Sequence, residues 1–397
     1  MRKSWSFILT LLLILTGAMF FSASASEAKI EKLDKKWKEG QPIGLLKQWE
    51  RSKHAEKGVS CNACHGEDPN NIKKPSAGTC ATCHSKVYED FSKSTHSTAL
   101  VHAMSKDSHV YHGKTVEYKW QAYPEGGPKD WGCANCHSVG YVAEDQSKGN
   151  CATCHSGHEF SLKQARHPDA CSKCHTGPGH PQNEAYATSK HGILWAAHGN
   201  EYDLGGSTKE FWARQETDPL GTPVCVTCHM PQGTHNTRGG MAHDLYGSRN
   251  PDYEKQVTFM VENSCKNCHS EEKAYEWLGN ADRIASFTLE RLGEARKSIG
   301  NLRRDGLIRP TMDVTNSHPI AGQLSYAESS FFQIVMATNR ARKGAYHMSA
   351  LWAGRLGWTD QSFALMAFRS EVERLRSDAE RDKKLKELED RLKTSKK

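Results

Sequence analysis

The chain has 397 residues, of which 53 are lysine or arginine and 46 are aspartate or glutamate, so its formal net charge at neutral pH is +7. This length allows two domains. No nucleic-acid-binding motif accompanies the small excess of positive charge, so the composition argues against a nucleic-acid partner. The unusual feature of the composition is the presence of 14 cysteines and 21 histidines.

The N-terminal segment, residues 1–25, has the pattern of an export signal. Arg2 and Lys3 precede an apolar stretch over residues 7–21, and Ala23-Ser24-Ala25 supplies the small residues that precede a cleavage point after Ala25. The alternative is an uncleaved membrane anchor, although a spanning helix needs roughly 20 apolar residues. We therefore expect a protein of the periplasm or another extracytoplasmic compartment.

Seven copies of the pattern Cys-x-x-Cys-His, numbered motif 1 to motif 7 in chain order, use every cysteine. This is the attachment pattern of c-type haem, in which two thiols bond to the porphyrin and the adjoining histidine becomes an axial ligand of the iron. The predicted attachment residues are Cys61, Cys64 and His65; Cys80, Cys83 and His84; Cys133, Cys136 and His137; Cys151, Cys154 and His155; Cys171, Cys174 and His175; Cys225, Cys228 and His229; and Cys265, Cys268 and His269.

Zinc knuckles and disulfide frameworks also use paired cysteines, but neither requires a histidine directly after every pair. The pattern therefore predicts seven covalently attached c-type haems as the cofactors. Several successive motifs lie only 18 to 20 residues apart, so neighbouring haems must be close enough to exchange electrons. Haem propionates would also offset the excess of basic side chains.

The region over residues 26–275 is rich in cysteine, histidine, glycine and proline and has no long apolar run. Such a segment cannot build a core from its own side chains, so its interior must be its ligand. We predict a mainly α, multihaem cytochrome c fold in which short helices surround the haems and the haems form the core.

The region over residues 276–397 has helical periodicity and no cysteine. A first helix and a second helix are predicted from apolar stripes, with Pro310, Pro319 and Gly322 between them. The last stretch, from Gln361 onward, is charged with a thin apolar stripe, which is typical of a solvated helix that could pack on a neighbouring subunit. The stripe residues are Ile284, Thr288, Leu292, Ala295, Ile299 and Leu302; Leu324, Phe331, Ile334 and Val335; and Leu375, Leu385, Leu388 and Leu392.

The histidines outside the seven motifs are candidates for the second axial position of each haem. A haem that receives one of them is six-coordinate and suited to electron transfer, whereas a haem without one has an open face that can bind a substrate.

The stretch CATCHSGHEFSLKQARHPDACSKCHTGPGHPQNEAYATSKHG, which begins at Cys151, resembles hydroxylamine oxidoreductase and its multihaem relatives. The later CVTCHMPQGTHN and CKNCHSEE follow in the same order, and the resemblance extends from Trp49 to Trp358. It implies a helical, haem-packed and often trimeric protein that moves electrons between small nitrogen compounds and partner cytochromes.

The resemblance also implies roles for individual residues. The haem at motif 3 matches the catalytic haem, with His137 on its proximal side and an open distal position, and His180 matches the histidine that exchanges protons with the substrate. The implied distal ligands of the other haems are His54, His158, His191, His235 and His347, with a sixth from His96, His102, His109 and His112, a group from which we select His102.

The chain departs from the family pattern at three places. The oxidising enzymes carry an eighth haem, whose attachment motif is missing ahead of His54 in this sequence. Gly179 stands where an aspartate often precedes the pocket histidine. Asp360 stands where oxidising members have a tyrosine that cross-links to the catalytic haem, and Tyr346 is nearby but out of register.

Without the cross-linking tyrosine, the resemblance points to members that run in the reductive direction. The predicted function is therefore reduction of nitrite or hydroxylamine at one open haem that six bis-histidine haems supply with electrons. Lys190 is a candidate for attracting anions. The expected partners are the small nitrogen compound, a quinol-linked or soluble cytochrome electron donor, and further copies of the chain in a homotrimer. The alternatives are oxidation of hydroxylamine or hydrazine, and a purely electron-transferring cytochrome.

Overall fold

The computed structural model describes residues 29–100, 109–111, 114–116, 133–177, 179–217, 221–237, 252–308 and 325–395, with backbone alone at 109–111, 114–116, 133 and 134. Several features named in the sequence analysis lie outside these ranges, namely the export signal, His102, His112, Pro310, Pro319, Gly322 and Leu324. The description below concerns the described residues.

The part of the chain that precedes Glu271, called the haem-motif region from here on, consists of short helices joined by turns. Each helix is too short to be stable alone in water, because isolated helices below about 12–15 residues are marginal. The α-helices of this region are α1 (Lys35–Lys38), α2 (Ile43–Glu50), α3 (Lys53–Glu56), α4 (Asn62–His65), α5 (Ala77–Ala81), α6 (Ser85–Lys93), α7 (Cys133–His137), α8 (Leu162–Arg166), α9 (Pro168–Ser172), α10 (Gln182–Ala187), α11 (Lys190–His198), α12 (Thr208–Thr217), α13 (Cys225–His229) and α14 (Tyr253–Asn263).

Single turns of 3₁₀ helix complete this region, at Thr95–Thr98, Ser138–Gly140, Cys151–Thr153, Pro231–Gly233 and Cys265–Asn267. The strands are β1 (His109–Tyr111) and β2 (Lys114–Val116), which pair antiparallel with His109 opposite Val116. The prediction of a mainly α fold is confirmed, and this small hairpin is the feature that the helical prediction did not include.

The C-terminal region, from Glu271 onward, contains three long helices, α15 (Glu271–Arg304), α16 (Tyr326–Tyr346) and α17 (Asp360–Thr394). Their predicted apolar stripes meet in one side-chain core, in which Leu292, Leu302, Phe331, Ile334 and Phe368 are almost fully buried. Ile284 is only half-buried, because Ala285 takes the inward position in that turn. On α17 the predicted stripe is exposed at Leu385, Leu388 and Leu392.

Side chains define where α15 and α16 begin. Ser270 accepts a hydrogen bond from the backbone N–H of Lys273 and caps α15. Ser325 and Glu328 form a reciprocal capping box at the start of α16. Glu328 is fully buried, and Arg303 donates to its carboxylate at 3.0 Å, so the same acidic residue joins the end of α15 to the start of α16.

A π-helix at Leu351–Thr359 connects α16 to α17. It lies directly against α16, because a Cβ at Gly357 would collide with Ala341, and a Cβ at Gly344 would collide with the backbone of Ala353. Glycine is therefore required at both positions by the close approach of the two backbones.

The two regions share an interior. Helix α15 runs without a break across the predicted boundary at residue 275, and residues of both α15 and α16 line the cavity described below. The division into a haem domain over 26–275 and a helical region over 276–397 stays a prediction. Within the described ranges, no helix combines the length and apolar character that crossing a bilayer requires.

Candidate haem sites and catalytic pocket

One continuous cavity of about 3070 Å³ occupies the interior of the haem-motif region. Ordinary small-molecule pockets measure about 300–1,000 Å³. Apart from Cys133, whose side chain is not described, the cysteines and histidine of all seven motifs line this cavity. The cavity therefore has the size and the lining that several porphyrins attached to these motifs would require.

Twelve histidine side chains in the described residues form six facing pairs, whose ring centroids are 5.9–6.3 Å apart. Every pair joins one motif histidine to one histidine outside the motifs. The pairs are His54 with His84, His65 with His158, His96 with His175, His155 with His235, His191 with His269, and His229 with His347.

This separation fits one metal ion between two imidazoles. A bond from a transition metal to an imidazole nitrogen is about 2 Å, and the ring centroid lies about 1.2 Å beyond the nitrogen, so two rings on opposite sides of one ion have centroids about 6 Å apart. The six pairs match that value, so the residues present fit haem iron with two histidine ligands.

Hydrogen bonds from the other ring nitrogen orient several of these histidines. Nδ1 of His65 lies 2.9 Å from the carbonyl oxygen of Lys73, and Nδ1 of His347 lies 2.7 Å from that of Lys343. A carbonyl oxygen can only accept, so Nδ1 carries the proton and Nε2 is the free ligand atom. This is the arrangement that metal-bound histidines normally show.

Burial lowers the pKa of nine of these imidazoles and so favours the uncharged form that metal ligation requires. It lowers the pKa of His155 and His175 to about 4 and that of His229 to about 3. Burial is also the main cause of the lowered pKa of the remaining histidines with a resolved shift, which are His54, His96, His158, His191, His235 and His347.

His137, in motif 3, differs from the other motif histidines. Its Nδ1 lies 3.0 Å from the carbonyl oxygen of Ala99, so its ring is oriented as a ligand would be. Among the residues that the structure describes, no second imidazole faces it. The open distal position predicted for this haem stays a prediction.

The sixth distal position shows a difference from the sequence-based choice. His96, rather than the selected His102, faces His175, and Thr237 lies 3.4 Å from its Nδ1. His102 lies outside the described residues. His96 is the second residue of the 3₁₀ turn Thr95–Thr98, which Ser94 caps by accepting a hydrogen bond from the backbone N–H of His96, and it lines the cavity.

Contacts between attachment motifs show which haem sites are neighbours. The side chains of Cys80 and Cys151 are neighbours, which places motif 2 beside motif 4, and those of Cys171 and Cys225 place motif 5 beside motif 6. Motif 5 also contacts motif 3, because the sulfur of Cys174 lies 3.9 Å from the carbonyl oxygen of Cys136. Motif 3 therefore lies beside motif 5, which itself contacts motif 6.

His180 follows motif 5 in the chain and lines the cavity. The amino group of Lys343, on α16, lies 2.5 Å from the carbonyl oxygen of Gly179 and 3.4 Å from Nδ1 of His180. Burial lowers the pKa of Lys343 to about 7, and the neighbouring Arg342 adds to the effect. Sequence reasoning missed Lys343, although it lies four residues before His347 and therefore on the same helical face.

Basic side chains dominate the charged lining of the cavity. Among the described residues that line it, nine are lysine or arginine, including Lys190, and none is aspartate or glutamate. Haem propionates would supply the missing negative charge, as the sequence suggested. Arg166 differs from the other basic residues of the lining because its guanidinium is already bound to the protein backbone. It donates to the carbonyl oxygens of Leu204, Gly205 and Gly206.

The position aligned with the cross-linking tyrosine lies outside this lining. Asp360 accepts a hydrogen bond from Arg340 at 2.9 Å, and both line a separate groove with Tyr326 and Phe363. Tyr346 does line the cavity, where its hydroxyl donates to Asp282 at 2.6 Å.

Comparisons with known sequences agree with the haem geometry. The sequence model of the family described as seven times multi-haem cytochrome CxxCH matches residues 140–317, and that of cytochrome c7 and related cytochrome c matches residues 70–156. The chain is a multihaem c-type cytochrome. The predicted c-type haem cofactor is thereby confirmed as a class, while the number of seven haems stays a prediction.

A curated relative from Kuenenia stuttgartiensis, described as a probable nitrite reductase-hydroxylamine oxidoreductase fusion protein, is 27% identical over 305 residues. That match covers 66% of this cytochrome and 33% of the relative, so the chain spans about a third of the length of the relative. The predicted resemblance to hydroxylamine oxidoreductase-like proteins is confirmed.

Two solved structures share the fold. One is the Kuenenia stuttgartiensis reducing HAO-like protein complex Kustc0457/Kustc0458, with a TM-score of 0.63, 21% identity, and coverage of 92% of this cytochrome and 85% of that chain. The other is a hypothetical multiheme protein, with a TM-score of 0.68, 17% identity, and coverage of 89% and 98%. At these identities the likeness shows the common fold.

Proposed function

We propose that this cytochrome reduces nitrite or hydroxylamine at the haem of motif 3, and that the six histidine pairs hold haems that deliver electrons to it. The observation that carries the proposal is the pairing of histidines. Six motif histidines face a second imidazole at about 6 Å, and among the described residues His137 does not.

When bound at motif 3, the haem would supply an iron atom that binds a small nitrogen compound and exchanges electrons with it. His137 would be its proximal ligand, oriented by the carbonyl oxygen of Ala99. His180 would donate a hydrogen bond or a proton to the substrate, because a histidine can change its charge near neutral pH. Motif 3 contacts motif 5, and His180 follows motif 5 by five residues, which supports this assignment.

Three observations favour the reductive direction. The aligned position of the cross-linking tyrosine holds Asp360, which is paired with Arg340. The cavity lining is cationic, which suits an anionic substrate such as nitrite. One relative is described as a nitrite reductase fused to a hydroxylamine oxidoreductase, and one complex of the same fold is described as reducing.

Electrons would reach motif 3 through motif 5, because the attachment residues of these two motifs are in contact. Motif 5 in turn contacts motif 6. A quinol-linked protein or a soluble cytochrome would be the donor, and the protein would act outside the cytoplasm as a homotrimer. The predicted export signal supports the location, and the likeness to a complex of two named proteins supports a protein partner, while the homotrimer rests on the family resemblance.

The first test is an electron paramagnetic resonance spectrum of the oxidised, fully loaded protein. We expect high-spin ferric haem amounting to about one haem in seven, a signal that changes on addition of nitrite or hydroxylamine, and ammonia production when a chemical reductant supplies electrons. A spectrum that is entirely low-spin and unchanged by both compounds would instead favour a purely electron-transferring cytochrome.

The role of His180 has its own test. The variant His180→Ala should keep the full haem content and lose most of its turnover, by about 10²-fold or more, because general acid catalysis contributes that much. His198→Ala is the matched control, since His198 ends α11 and is not part of the cavity lining. Equal turnover in the two variants would remove His180 from the mechanism.

A further inference from the structure

Lys343 has no part in the function assigned above, yet it occupies the position beside the pocket histidine. Its amino group donates to the carbonyl oxygen of Gly179 at 2.5 Å and lies 3.4 Å from Nδ1 of His180. In its protonated form, which a neighbouring anion stabilises, the amino group can only donate hydrogen bonds, so Nδ1 of His180 acts as the acceptor in this contact. The remaining proton of the neutral imidazole is then on Nε2.

The side chains around Lys343 on α16 offer donors rather than acceptors. Asn339 lies four residues earlier on the same helical face and lines the cavity. It is 2% exposed, and its amide nitrogen has no hydrogen-bond partner within the described part of the chain. Arg342 is also buried and lines the cavity. A ligand that only accepts hydrogen bonds and carries negative charge is the chemistry that matches this cluster.

We propose that Lys343 is a specificity-determining residue, which makes the His180 end of the cavity cationic and thereby selects an anionic nitrogen oxide, such as nitrite, over an uncharged substrate such as hydroxylamine. This inference rests on the proposed function. The carboxylate of a haem propionate has the same chemistry as the carboxylate-like nitrite anion, so the experiment must separate these two possible partners of Lys343.

The test uses the fully loaded protein and the variants Lys343→Met and Lys343→Arg. The nitrite dissociation constant is measured from the high-spin signal of the oxidised protein, and KM is measured separately for nitrite and for hydroxylamine. Neither substitution removes the backbone carbonyl oxygen of residue 343 that holds His347, so the ligand pair should survive. Lys297→Gln, on the exposed face of α15, is the control for an equal loss of net charge.

With Lys343→Met we expect the dissociation constant and KM for nitrite to rise about tenfold or more, because a charge-assisted hydrogen bond is lost, while KM for hydroxylamine changes less than about twofold. Lys343→Arg should restore most of the nitrite affinity, and Lys297→Gln should have no effect. Equal changes for the two substrates, or no change, would overturn the proposal. A shift of haem absorption or potential with unchanged nitrite affinity would assign Lys343 to a propionate.

Gly179 provides a second, independent test. A Cβ at this position would meet only the sulfur of Met336, at 4.0 Å, so a side chain fits. Gly179→Asp would place a carboxylate beside Lys343 and should weaken nitrite binding about tenfold, whereas the isosteric Gly179→Asn should change it less than about threefold. Equal effects of the two substitutions would overturn the proposal. An unmodified protein that binds and reduces neither compound would instead overturn the proposed function itself.

Discussion

The two regions of this cytochrome bury their interiors in different ways. In the haem-motif region, the longest described helix has 11 residues, and the motif residues line one large cavity. In the C-terminal region the helices have 34, 21 and 35 residues, and their side chains fill a core in which Phe331 and Ile334 are completely buried. One region therefore depends on its ligands for a core, whereas the other supplies its own.

Helix α16 contributes side chains to the interiors of both regions. Its first half contributes Phe331 and Ile334 to the side-chain core, while its second half presents Asn339, Lys343 and His347 to the cavity. A change in the packing of the C-terminal helices can therefore move the groups nearest to His180. The C-terminal region is best understood as a rigid support for one wall of the haem cavity.

The largest effect should come from preventing haem attachment. A chain made without haem should lose the ordered structure of the region over residues 61–269, because its own buried clusters, such as that around Phe211 and Trp212, are small beside the cavity that the haems would fill. The C-terminal helices should persist, since their core consists of side chains. Limited proteolysis should leave a resistant fragment that begins near Glu271, and far-ultraviolet circular dichroism should retain part of its helical signal.

The loaded protein, digested under the same conditions, is the control and should resist cleavage throughout. Equal resistance of the haem-free chain over residues 61–269 would show that this region has a core of its own. Loss of the C-terminal fragment would show that the long helices also need the haems.

The next effect should be confined to one haem. His96→Ala removes the imidazole that faces His175, so we expect one additional haem in about seven to become high-spin, because one axial ligand is lost. His102→Ala is the matched control and should leave the spin state unchanged. If His102→Ala adds a high-spin haem and His96→Ala does not, the sequence-based choice of His102 was right.

The sequence predicted the helices and the haem motifs well because both depend on local spacing. The stripes on α15 and α16 have the helical period, and they are the positions that the structure buries, such as Leu292 and Phe331. The family resemblance implied the distal positions of His347 and of four histidines in matched local motifs, and the structure places each opposite a motif histidine. Those four are His54, His158, His191 and His235.

Other parts of the site depended on contacts between residues distant in the chain, which spacing does not reveal. Nothing in the sequence ranks His96 above His102 as the partner of His175. A lysine in a helix is normally solvated, so the contact of Lys343 with Gly179, which spans 164 positions, left no recognisable signal. The carbonyl oxygens that orient His65 and His137 could not be predicted either, because any backbone offers them.

Within the C-terminal core, a smaller but still substantial effect is expected from one aromatic ring. Phe368 is 1% exposed and lies 6.2 Å from Phe331 between ring centroids. Phe368→Ala should lower the free energy of unfolding by about 3–5 kcal/mol, because the cavity it leaves cannot be refilled. Guanidinium unfolding followed by circular dichroism measures this change, and the haem spectrum should stay the same.

Phe363 on the same helix is the control, because it is 64% exposed. Phe363→Ala should change the free energy of unfolding by no more than about 0.5 kcal/mol. A large loss at Phe363 would indicate that this face of α17 is covered in the assembled protein, as in the expected homotrimer.

The smallest effect should come from the buried amide that joins the three long helices. Gln361 is fully buried, and its amide nitrogen donates to the carbonyl oxygen of Thr288 and to the hydroxyl of Thr338, both at 2.7 Å. Gln361→Leu should cost about 1 kcal/mol, the net value of an ordinary hydrogen bond. The loss stays small because the Thr338 hydroxyl keeps its bond to the carbonyl oxygen of Ile334.

The variant Gln361→Glu sharpens this test, because the glutamate side chain has nearly the same shape as the glutamine that it replaces. A carboxylate at this position would be buried, and it would face the carbonyl oxygen of Thr288 without a proton to donate. We therefore expect a greater loss of stability for Gln361→Glu than for Gln361→Leu at neutral pH, with part of it recovered under acidic conditions that protonate the carboxylate. If Gln361→Leu is instead as costly as Phe368→Ala, polar contacts rather than packing hold the C-terminal helices together.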